Sequence, residues 1–343
     1  MRRHAVLFPI LGTAGVTETA RAAPLQDALH AYGIQAWHIG RLWNFTLALC
    51  ALVFVAIVAA CLIALWRAPR ADAKSTPPDM TSLIRPERGI HRTVAWAVGA
   101  ATLGLLALLA ADVFTTRALG RMPLENAVNI ELTGHQYWWE ARYLDPDFQR
   151  QFSTANELHI PVGRPVIVTL KSKDVIHTLW VPNLHGKRDM IPGRTTTMQL
   201  RADQPGTYRG QCAEFCGLQH AMMALLVEAE PDAQYEAWAE RQRQAAPAPA
   251  SDAVRRGRAL FLEKSCARCH TINGTGATAT QGPDLTHLAG RKTIAAGMLP
   301  NDAGHLAAWI QDPQSLKPGV YMPANRMRPD ELHDLVAYLE TLK

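Results

Sequence analysis

Apolar residues are concentrated in two long runs in the first third of the chain. Residues 42–66 contain no charged residue, and a second apolar run covers residues 93–115. A helix of about 20 residues crosses the hydrocarbon core of a bilayer, so both runs are long enough. The segment between them is rich in Lys and Arg, which favours the cytoplasmic side. The pattern predicts a transmembrane hairpin over residues 24–118, because two such runs close together disfavour buried helices of a soluble core.

The stretch before the hairpin has the features of a targeting segment. Residues 1–23 begin with Arg2 and Arg3 and continue with a short apolar stretch and several small residues. This order is typical of a secretory signal peptide. Pro9 and Gly12 interrupt the apolar stretch, so a disordered N-terminus is the competing interpretation, and the sequence leaves both open.

After the hairpin the pattern changes to the alternation expected of strands. Segments between residues 127 and 230 alternate or are rich in β-branched residues, and Pro-Gly turn signals separate them. Several short strands at this spacing are typical of a sandwich or a barrel. The pattern predicts a β domain over residues 119–240. A Pro/Ala-rich linker follows over residues 241–251, and it reaches about 30–40 Å if extended.

The last quarter of the chain, residues 252–343, has a helical pattern. Ser251 is placed to cap the first helix of this region. The final helix carries apolar residues at one-face helical spacing, and Pro329 with the acids behind it suits its N-terminus. This region is therefore predicted to be an all-α domain.

Composition changes this picture only through the cysteines. The net charge is +5, and no Lys/Arg stripe interleaved with aromatic residues indicates a nucleic-acid surface. Cys50 and Cys61 lie inside an apolar run, where Cys is usually a small buried hydrophobe. The other four cysteines form two close pairs, each with a His nearby. Metal or haem chemistry therefore explains them better than a disulfide framework.

The second pair belongs to a C-x-x-C-H motif, formed by Cys266, Cys269 and His270. In c-type haem attachment the two thiols bond the haem vinyl groups and the His ligates the iron. A zinc knuckle or a redox pair is the alternative. Zinc would need a second ligand pair nearby, and residues 252–343 contain no other Cys.

A sixth iron ligand is predicted at Met322, in a loop before the last helix, because Met ligation is typical of electron-transfer haems. Met298 and Met327 are predicted to be packing residues. The order of a short helix, C-x-x-C-H, Gly-Pro, a Met-Pro loop and a terminal helix resembles class I cytochrome c. The resemblance implies that the Pro283 carbonyl bonds His270. It also implies that the first and last helices pack together through Gly257, Phe261 and Tyr338.

The first pair lies in a C-x3-C-x3-H-x2-M motif, made by Cys212, Cys216, His220 and Met223. Two thiolates, an imidazole and a thioether form a soft site, and the thioether favours copper over zinc. Two cysteines in one loop are able to bridge two metals, and each metal then needs its own His. His177, at a predicted strand start, is the natural second His.

This motif resembles the binuclear copper centre of cytochrome c oxidase subunit II, as do residues 134–140, 174–177, 189–194 and 210–216 and the two-helix anchor. The resemblance implies a cupredoxin-like Greek-key β-sandwich in which Cys212 and Cys216 bridge two copper ions. It implies one copper bound by His177 and one by His220, with Met223 as a weak axial ligand. Met222 is the competing thioether and is assigned to the core.

Three further residues take roles from the same resemblance. Glu214 is expected to donate its backbone carbonyl to copper and its carboxylate to a magnesium ion at the subunit I interface. Tyr137 and Trp138 are expected on the electron path. Family members usually have Trp at the position of Tyr137, where electrons arrive, so docking of a separate soluble cytochrome c here is in doubt. The fused haem domain is the expected immediate donor.

Together the two resemblances imply that the whole chain is subunit II of a caa-type haem-copper terminal oxidase, a cytochrome-c oxidase. It would relay electrons from an external donor, a cytochrome c or a quinol-oxidising complex, through haem c and copper to subunit I. Oxygen reduction to water and proton pumping would occur there. Subunit I, subunit III and a bacterial plasma membrane are the expected partners, with both cofactor domains on the periplasmic side.

Two other functions remain open from the sequence. One is the electron-input subunit of a copper-dependent nitric oxide reductase. The other is a membrane-tethered copper chaperone, against which the haem motif argues because a chaperone needs no haem. A quinol-oxidase homologue is disfavoured because that group is expected to lack the copper ligands.

Overall fold

The structure is a computed structural model that describes residues 25–67 and 88–343. The predicted signal peptide and the basic loop of the hairpin lie outside these residues. The described part contains two apolar helices, two five-stranded sheets and a C-terminal helical region. This architecture confirms the predicted fold class, although the exact domain boundaries remain predictions.

The two apolar helices, α1 (Ile34–Arg67) and α2 (Arg88–Leu119), pack against each other and are both long and apolar enough to cross a membrane. Both extend beyond the apolar runs. The start of α1 is held by the β domain, since the Ala36 amide donates to the Leu184 carbonyl at 3.1 Å. A side chain at Gly33 would meet the same segment, with its Cβ 2.9 Å from the Leu184 oxygen. Contacts with the β domain therefore hold the first turn of α1 in place, before its apolar run begins.

The β domain is a sandwich of two mixed sheets. The strand order is β3-β2-β1-β5-β8 in the first sheet and β4-β10-β9-β6-β7 in the second. β1 pairs with β5 and β4 with β10 in parallel, and the other pairs are antiparallel. The strands are β1 (Val128–His135), β2 (Trp138–Leu144), β3 (Phe152–Ala155), β4 (Glu157–Pro161), β5 (Val166–Ser172), β6 (His177–Trp180), β7 (Lys187–Met190), β8 (Thr196–Leu200), β9 (Gly206–Cys212) and β10 (Ala224–Glu230).

The sandwich core forms because alternate residues of its strands point inward. Ile130, Leu132 and Trp139 are fully buried, and each such side chain contributes about 1.5–3 kcal/mol through removal from water. A helix absent from the sequence prediction, α3 (Asp232–Gln242), closes one end of the sandwich. Its Trp238 stacks on His159 with ring centroids 4.1 Å apart. Two residues of the predicted linker, 241–242, are part of this helix.

The C-terminal region is built around a crossing of its first and last helices. Its helices are α4 (Asp252–Glu263), α5 (Ala303–Gln311), α6 (Pro313–Leu316) and α7 (Pro329–Leu339), with a short hairpin of β11 (Thr293–Ile294) and β12 (Leu299–Pro300). At the crossing, the rings of Phe261 and Tyr338 meet edge to face, 6.2 Å apart. A Cβ at Gly257 would lie 2.0 Å from the carbonyl oxygen of Asp334. Glycine is therefore what allows the two helices to approach.

The helical region is docked on the β sandwich, and the linker does not hold it at a distance. The linker backbone binds the helical region, with the Ala246 amide donating to the Asn273 carbonyl at 3.0 Å. On the sandwich side, the Ala224 amide donates to Ala296 at 3.0 Å. Lys292 reaches the same sheet, where its ammonium donates to the Glu228 carboxylate at 2.7 Å.

Candidate functional site

The predicted copper ligands come from neighbouring strands of the second sheet. His177 starts β6 and Cys212 ends β9, and these strands pair with each other. The loop between β9 and β10 carries Cys216, and His220 begins a 3₁₀ turn just before Met223. The Cys212 amide donates to the Met223 carbonyl at 2.9 Å, which closes the loop at its base. Ordinary strand pairing therefore brings together residues that are far apart in the chain.

The ligand atoms form a compact, nearly symmetric group. The two sulfurs of Cys212 and Cys216 are 3.8 Å apart. Nδ1 of His177 lies 3.8 Å from the Cys212 sulfur, and Nδ1 of His220 lies 3.8 Å from the Cys216 sulfur. The Met223 sulfur lies 3.9 Å from that of Cys216. Each thiol therefore has its own imidazole, as two metals bridged by two thiolates would require.

The surroundings orient His177 for metal binding. Nε2 of His177 donates to the Asp174 carboxylate at 2.8 Å, which leaves the lone pair of Nδ1 facing the Cys212 sulfur. A carboxylate behind a ligating imidazole fixes its tautomer and its ring plane. Gly134 lies against the His177 ring, since a Cβ on residue 134 would be 2.8 Å from Cδ2 of that ring.

The pKa values of the two thiols are shifted in opposite directions. A hydrogen bond with Cys216, opposed by burial and helped by His177, lowers the pKa of Cys212 to about 3. The same hydrogen bond raises the pKa of Cys216, and burial and the repulsion between two neighbouring negative charges add to this effect. A metal cation would relieve this repulsion. The soft donor set and the buried, preformed group fit copper.

Glu214 presents different groups to the two metals assigned to it. Its backbone carbonyl lies 3.2 Å from the Cys212 sulfur, at the edge of the ligand group. Its side chain is exposed, as is that of the neighbouring Phe215. Met222 was assigned to the core, and this is wrong: it is 45% exposed. In the 3₁₀ turn it faces solvent, whereas Met223, one residue later, is fully buried.

The C-x-x-C-H motif follows α4 in a 3₁₀ turn, with Cys266 and Cys269 half-buried. Nδ1 of His270 donates to the Pro283 carbonyl at 2.8 Å, the bond implied by the resemblance. Burial lowers the pKa of His270, which favours the neutral ring with Nε2 free to ligate. A Cβ at Gly282 would lie 2.7 Å from the ring. Two thiols beside an oriented, neutral imidazole fit covalent haem c.

The Met residues of the helical region lie in different environments. Met322 is half-buried in the loop between α6 and α7, and its carbonyl accepts a hydrogen bond from the Gln314 amide at 2.9 Å. Met327 packs against the hydrophobic core of the region, in line with its assignment as a packing residue. Ligation of iron by Met322 stays a prediction.

The loop that carries Met322 touches the segment of the predicted copper ligands, residues 212–223, which we call the copper loop. The Tyr321 hydroxyl donates to Oε1 of Gln136 at 3.1 Å, and the Gln136 amide donates to the Cys216 carbonyl at 2.6 Å. Gln219 donates to the Pro318 carbonyl at 2.5 Å. Two hydrogen bonds thus connect the predicted haem-ligand loop to a predicted copper ligand.

One of the two aromatic residues predicted on the electron path, Tyr137, lies at this contact. Tyr137 is 7% exposed, and its hydroxyl accepts a hydrogen bond from the Leu218 amide at 3.0 Å. Trp138 is half-buried and stacks on His135 with ring centroids 4.3 Å apart. The helical region covers the position at which family members usually present a Trp.

The sequence prediction missed Lys317, which lies between the two domains and is 1% exposed. Its ammonium donates to the carbonyls of Tyr137 at 3.2 Å and Ala295 at 3.0 Å. Burial lowers its pKa to about 8, against an opposing attraction from Cys216. No sequence signal marks it, because the partner carbonyl lies 180 residues away along the chain.

Comparisons with known proteins agree with both predicted domains. The chain matches the family model for the cytochrome c oxidase subunit II periplasmic domain over residues 128–230, and the cytochrome c model over residues 254–343. It is 42% identical over 220 residues to cytochrome c oxidase subunit 2 of Alkalihalophilus pseudofirmus, covering 64% of this chain and 62% of that protein. The Bacillus sp. PS3 protein of that name is 32% identical over 231 residues, covering 64% and 63%.

The alignment with a third relative covers a larger share of that relative's length. The alternative cytochrome c oxidase subunit 2 of Bradyrhizobium diazoefficiens is 30% identical over 195 residues, covering 49% of this chain and 70% of that protein. The chain spans less than two thirds of the length of the first two relatives. The two matched domains imply copper and haem c as cofactors. The chain belongs to the cytochrome c oxidase subunit II family, and it carries a C-terminal cytochrome c domain.

Proposed function

We propose that the chain is the electron-transfer subunit of a haem-copper terminal oxidase, and that it relays electrons from its own haem c to a binuclear copper centre and on to subunit I. When bound, haem c and the copper pair each take up and release single electrons without breaking a bond. The residues of this chain hold them, exclude water and set their separation. Oxygen reduction and proton pumping are assigned to subunit I.

The observation that carries this proposal is the contact between the two predicted ligand loops. Tyr321, next to Met322, reaches Gln136, which in turn bonds the carbonyl of Cys216. An electron passing between the sites would have a short path through bonded atoms, with no diffusional encounter between domains. Such a built-in contact has no use in a copper chaperone, which must release its metal.

We assign the ligands as the geometry favours. Cys212 and Cys216 would hold both copper ions, and His177 and His220 would bind one ion each. Met223 and the Glu214 carbonyl would be weaker ligands. The exposed Glu214 carboxylate would share a magnesium ion with subunit I. Cys266 and Cys269 would attach the haem covalently, and His270 and Met322 would bind its iron.

We place the chain in a bacterial plasma membrane, with α1 and α2 spanning it and both cofactor domains on the periplasmic side. Most side chains of these helices are exposed and apolar, which is costly in water but matches lipid and partner helices. Subunit I and subunit III would cover part of this surface. The external donor, a cytochrome c or a quinol-oxidising complex, would then deliver electrons to the haem domain.

The test is to purify the complex from membranes, count copper and haem, and record copper EPR. Two copper ions sharing one unpaired electron, one low-spin haem c, and oxygen consumption with a co-purifying large subunit are expected. Cys216→Ser should abolish the delocalised copper signal. Cys50→Ser, at an exposed position of α1, is the matched control and should leave it intact. A delocalised signal in Cys216→Ser would contradict the copper assignment, and nitric oxide consumption without oxygen consumption would move the chain to the reductases.

A further inference from the structure

One lysine, Lys317, is buried at the interface between the two cofactor domains. Lys317 belongs to the haem domain, directly after α6, and its ammonium reaches across to the Tyr137 carbonyl of the copper domain. Its second acceptor, the Ala295 carbonyl, lies on the haem domain. Within residues 25–67 and 88–343, no carboxylate pairs with it. A lysine 1% exposed with only neutral acceptors is rare, because burying an ammonium is costly.

We propose that Lys317 is a positioning residue, which locks the haem domain onto the copper loop and places an uncompensated positive charge beside the copper thiolates. This inference rests on the proposed function only in assuming that both sites carry their metals. It names a role for a residue outside the ligand motifs of either domain.

The locking role follows from where the hydrogen bonds lead. The Tyr137 carbonyl belongs to the turn before β2, and the hydroxyl of the same residue accepts from the copper loop at Leu218. Lys317 therefore links the haem domain to Tyr137, whose hydroxyl is hydrogen-bonded to the copper loop. Pro318, the next residue, accepts the hydrogen bond from Gln219 at 2.5 Å. Movement of this short segment would change the separation of the two ligand loops.

The electrostatic role follows from the absence of a counter-charge. The negative charge that acts favourably on Lys317 is that of Cys216 in its thiolate form, the form in which a copper ligand binds. A fixed cation near a redox centre favours the form with the additional electron, since that form carries one more negative charge. Lys317 should therefore raise the reduction potential of the copper centre. A side chain that only filled space would leave the potential unchanged.

Other contacts at the interface do not replace these functions. Lys292 also crosses it, but its ammonium pairs with the Glu228 carboxylate and is half exposed, so solvent and the acid screen its charge. The contact between Ala224 and Ala296 is a neutral backbone hydrogen bond. Lys317, by contrast, has no carboxylate partner among the residues that the structure describes, so its charge is left to act on the copper loop.

The test compares three variants of the full chain in its assembled complex. Lys317→Met keeps the side-chain volume but removes charge and donors, and Lys317→Gln keeps a donor without charge. Lys343→Met makes the same substitution at an exposed lysine of the haem domain. The readouts are the enhancement of copper spin relaxation by the oxidised haem, the copper midpoint potential, and the rate of electron transfer between the sites.

In Lys317→Met we expect weaker relaxation enhancement, a lower copper potential and electron transfer slowed about tenfold or more, as the effective concentration of one domain at the other falls. In Lys317→Gln we expect near-normal relaxation with the lower potential. Lys343→Met should match the unchanged protein in all three. Unchanged relaxation and potential in Lys317→Met would overturn the proposal.

A measurement on the unchanged protein covers the case in which the variants fail to assemble. Brief acetylation of the holo complex, read by mass spectrometry, should modify Lys317 at least about tenfold more slowly than Lys343, because its ammonium is exposed only when the domains separate. Equal rates would overturn the locking role. Copper and haem counted in the same sample test the proposed function separately, since a missing metal leaves the lysine comparison readable.

Discussion

Replacing Gly257 by Ala tests the helix crossing on which the haem domain is built. The added Cβ would lie 2.0 Å from the Asp334 carbonyl oxygen and 2.7 Å from Cβ of Tyr338, where ordinary contact begins at 3.4 Å. Both obstacles belong to the backbone or the root of a side chain, so neither moves by rotamer change. The helices α4 and α7 must separate by more than 1 Å, which also disturbs the contact of Phe261 with Tyr338.

The magnitude is set by two opposing effects. Overpacking of this kind costs about 1–3 kcal/mol, and a backbone clash lies at the upper end. Alanine gains about 1 kcal/mol over glycine inside a helix. A net loss of about 2 kcal/mol is expected, which lowers the melting temperature of a domain of this size by on the order of 10 °C.

The assay is thermal unfolding of the full chain, followed by the Soret band of its haem and by far-UV circular dichroism. Gly290→Ala is the matched control, because a Cβ there meets no atom within 4 Å and the residue lies in the same domain. Its melting temperature should stay near that of the unchanged chain. If Gly257→Ala melted with the control, the close approach of the two helices would not be what requires glycine.

Three further outcomes are expected. Ser251→Ala removes the cap that accepts from the Val254 amide at 3.3 Å, and should cost the haem domain about 1 kcal/mol in denaturant unfolding. Hydrogen bonds to Glu157 and Glu230 outweigh the effect of burial and raise the pKa of His159 above its usual 6.5. Protonated His159 therefore stabilises the folded state fully below pH 6.5, and this contribution is lost as pH rises through the raised pKa. Melting curves of the copper domain should show this loss, and His159→Gln should remove it. Gly134→Ala pushes on the His177 ring and should alter copper EPR and weaken copper retention by about 10-fold or more, whereas Gly120→Ala, in open space, should change neither.

Local motifs explain why much of the site could be predicted. Cys212, Cys216, His220 and Met223 lie within one loop, so their spacing alone places them together, and the C-x-x-C-H motif is equally local. His177 could be named from the sequence only as a candidate at a predicted strand start, because the pairing of β6 with β9 is what brings it to the loop. Met222 was misassigned because adjacent residues of a 3₁₀ turn point in different directions, which spacing does not show.

The parts that could not be predicted depend on contacts between distant segments. The helix α3 has a mostly polar sequence, and what defines it is the packing of Tyr235 and Trp238 on the sandwich. The linker composition allowed a wide reach, but its backbone binds the haem domain. Lys317 looks like any surface lysine in the sequence, and its burial appears only when the two domains meet.

The parallel pairing of β10 with β4 bears on how the protein is made. β4 begins at Glu157 and β10 ends at Glu230, so the second sheet is complete only once nearly the entire β domain is available to fold. Pairings between strands so far apart in the chain form slowly. The copper loop precedes β10 directly, so it takes its shape late. Under the proposed function, copper would be delivered to a domain that has already folded, and the two neighbouring thiols would need protection until then.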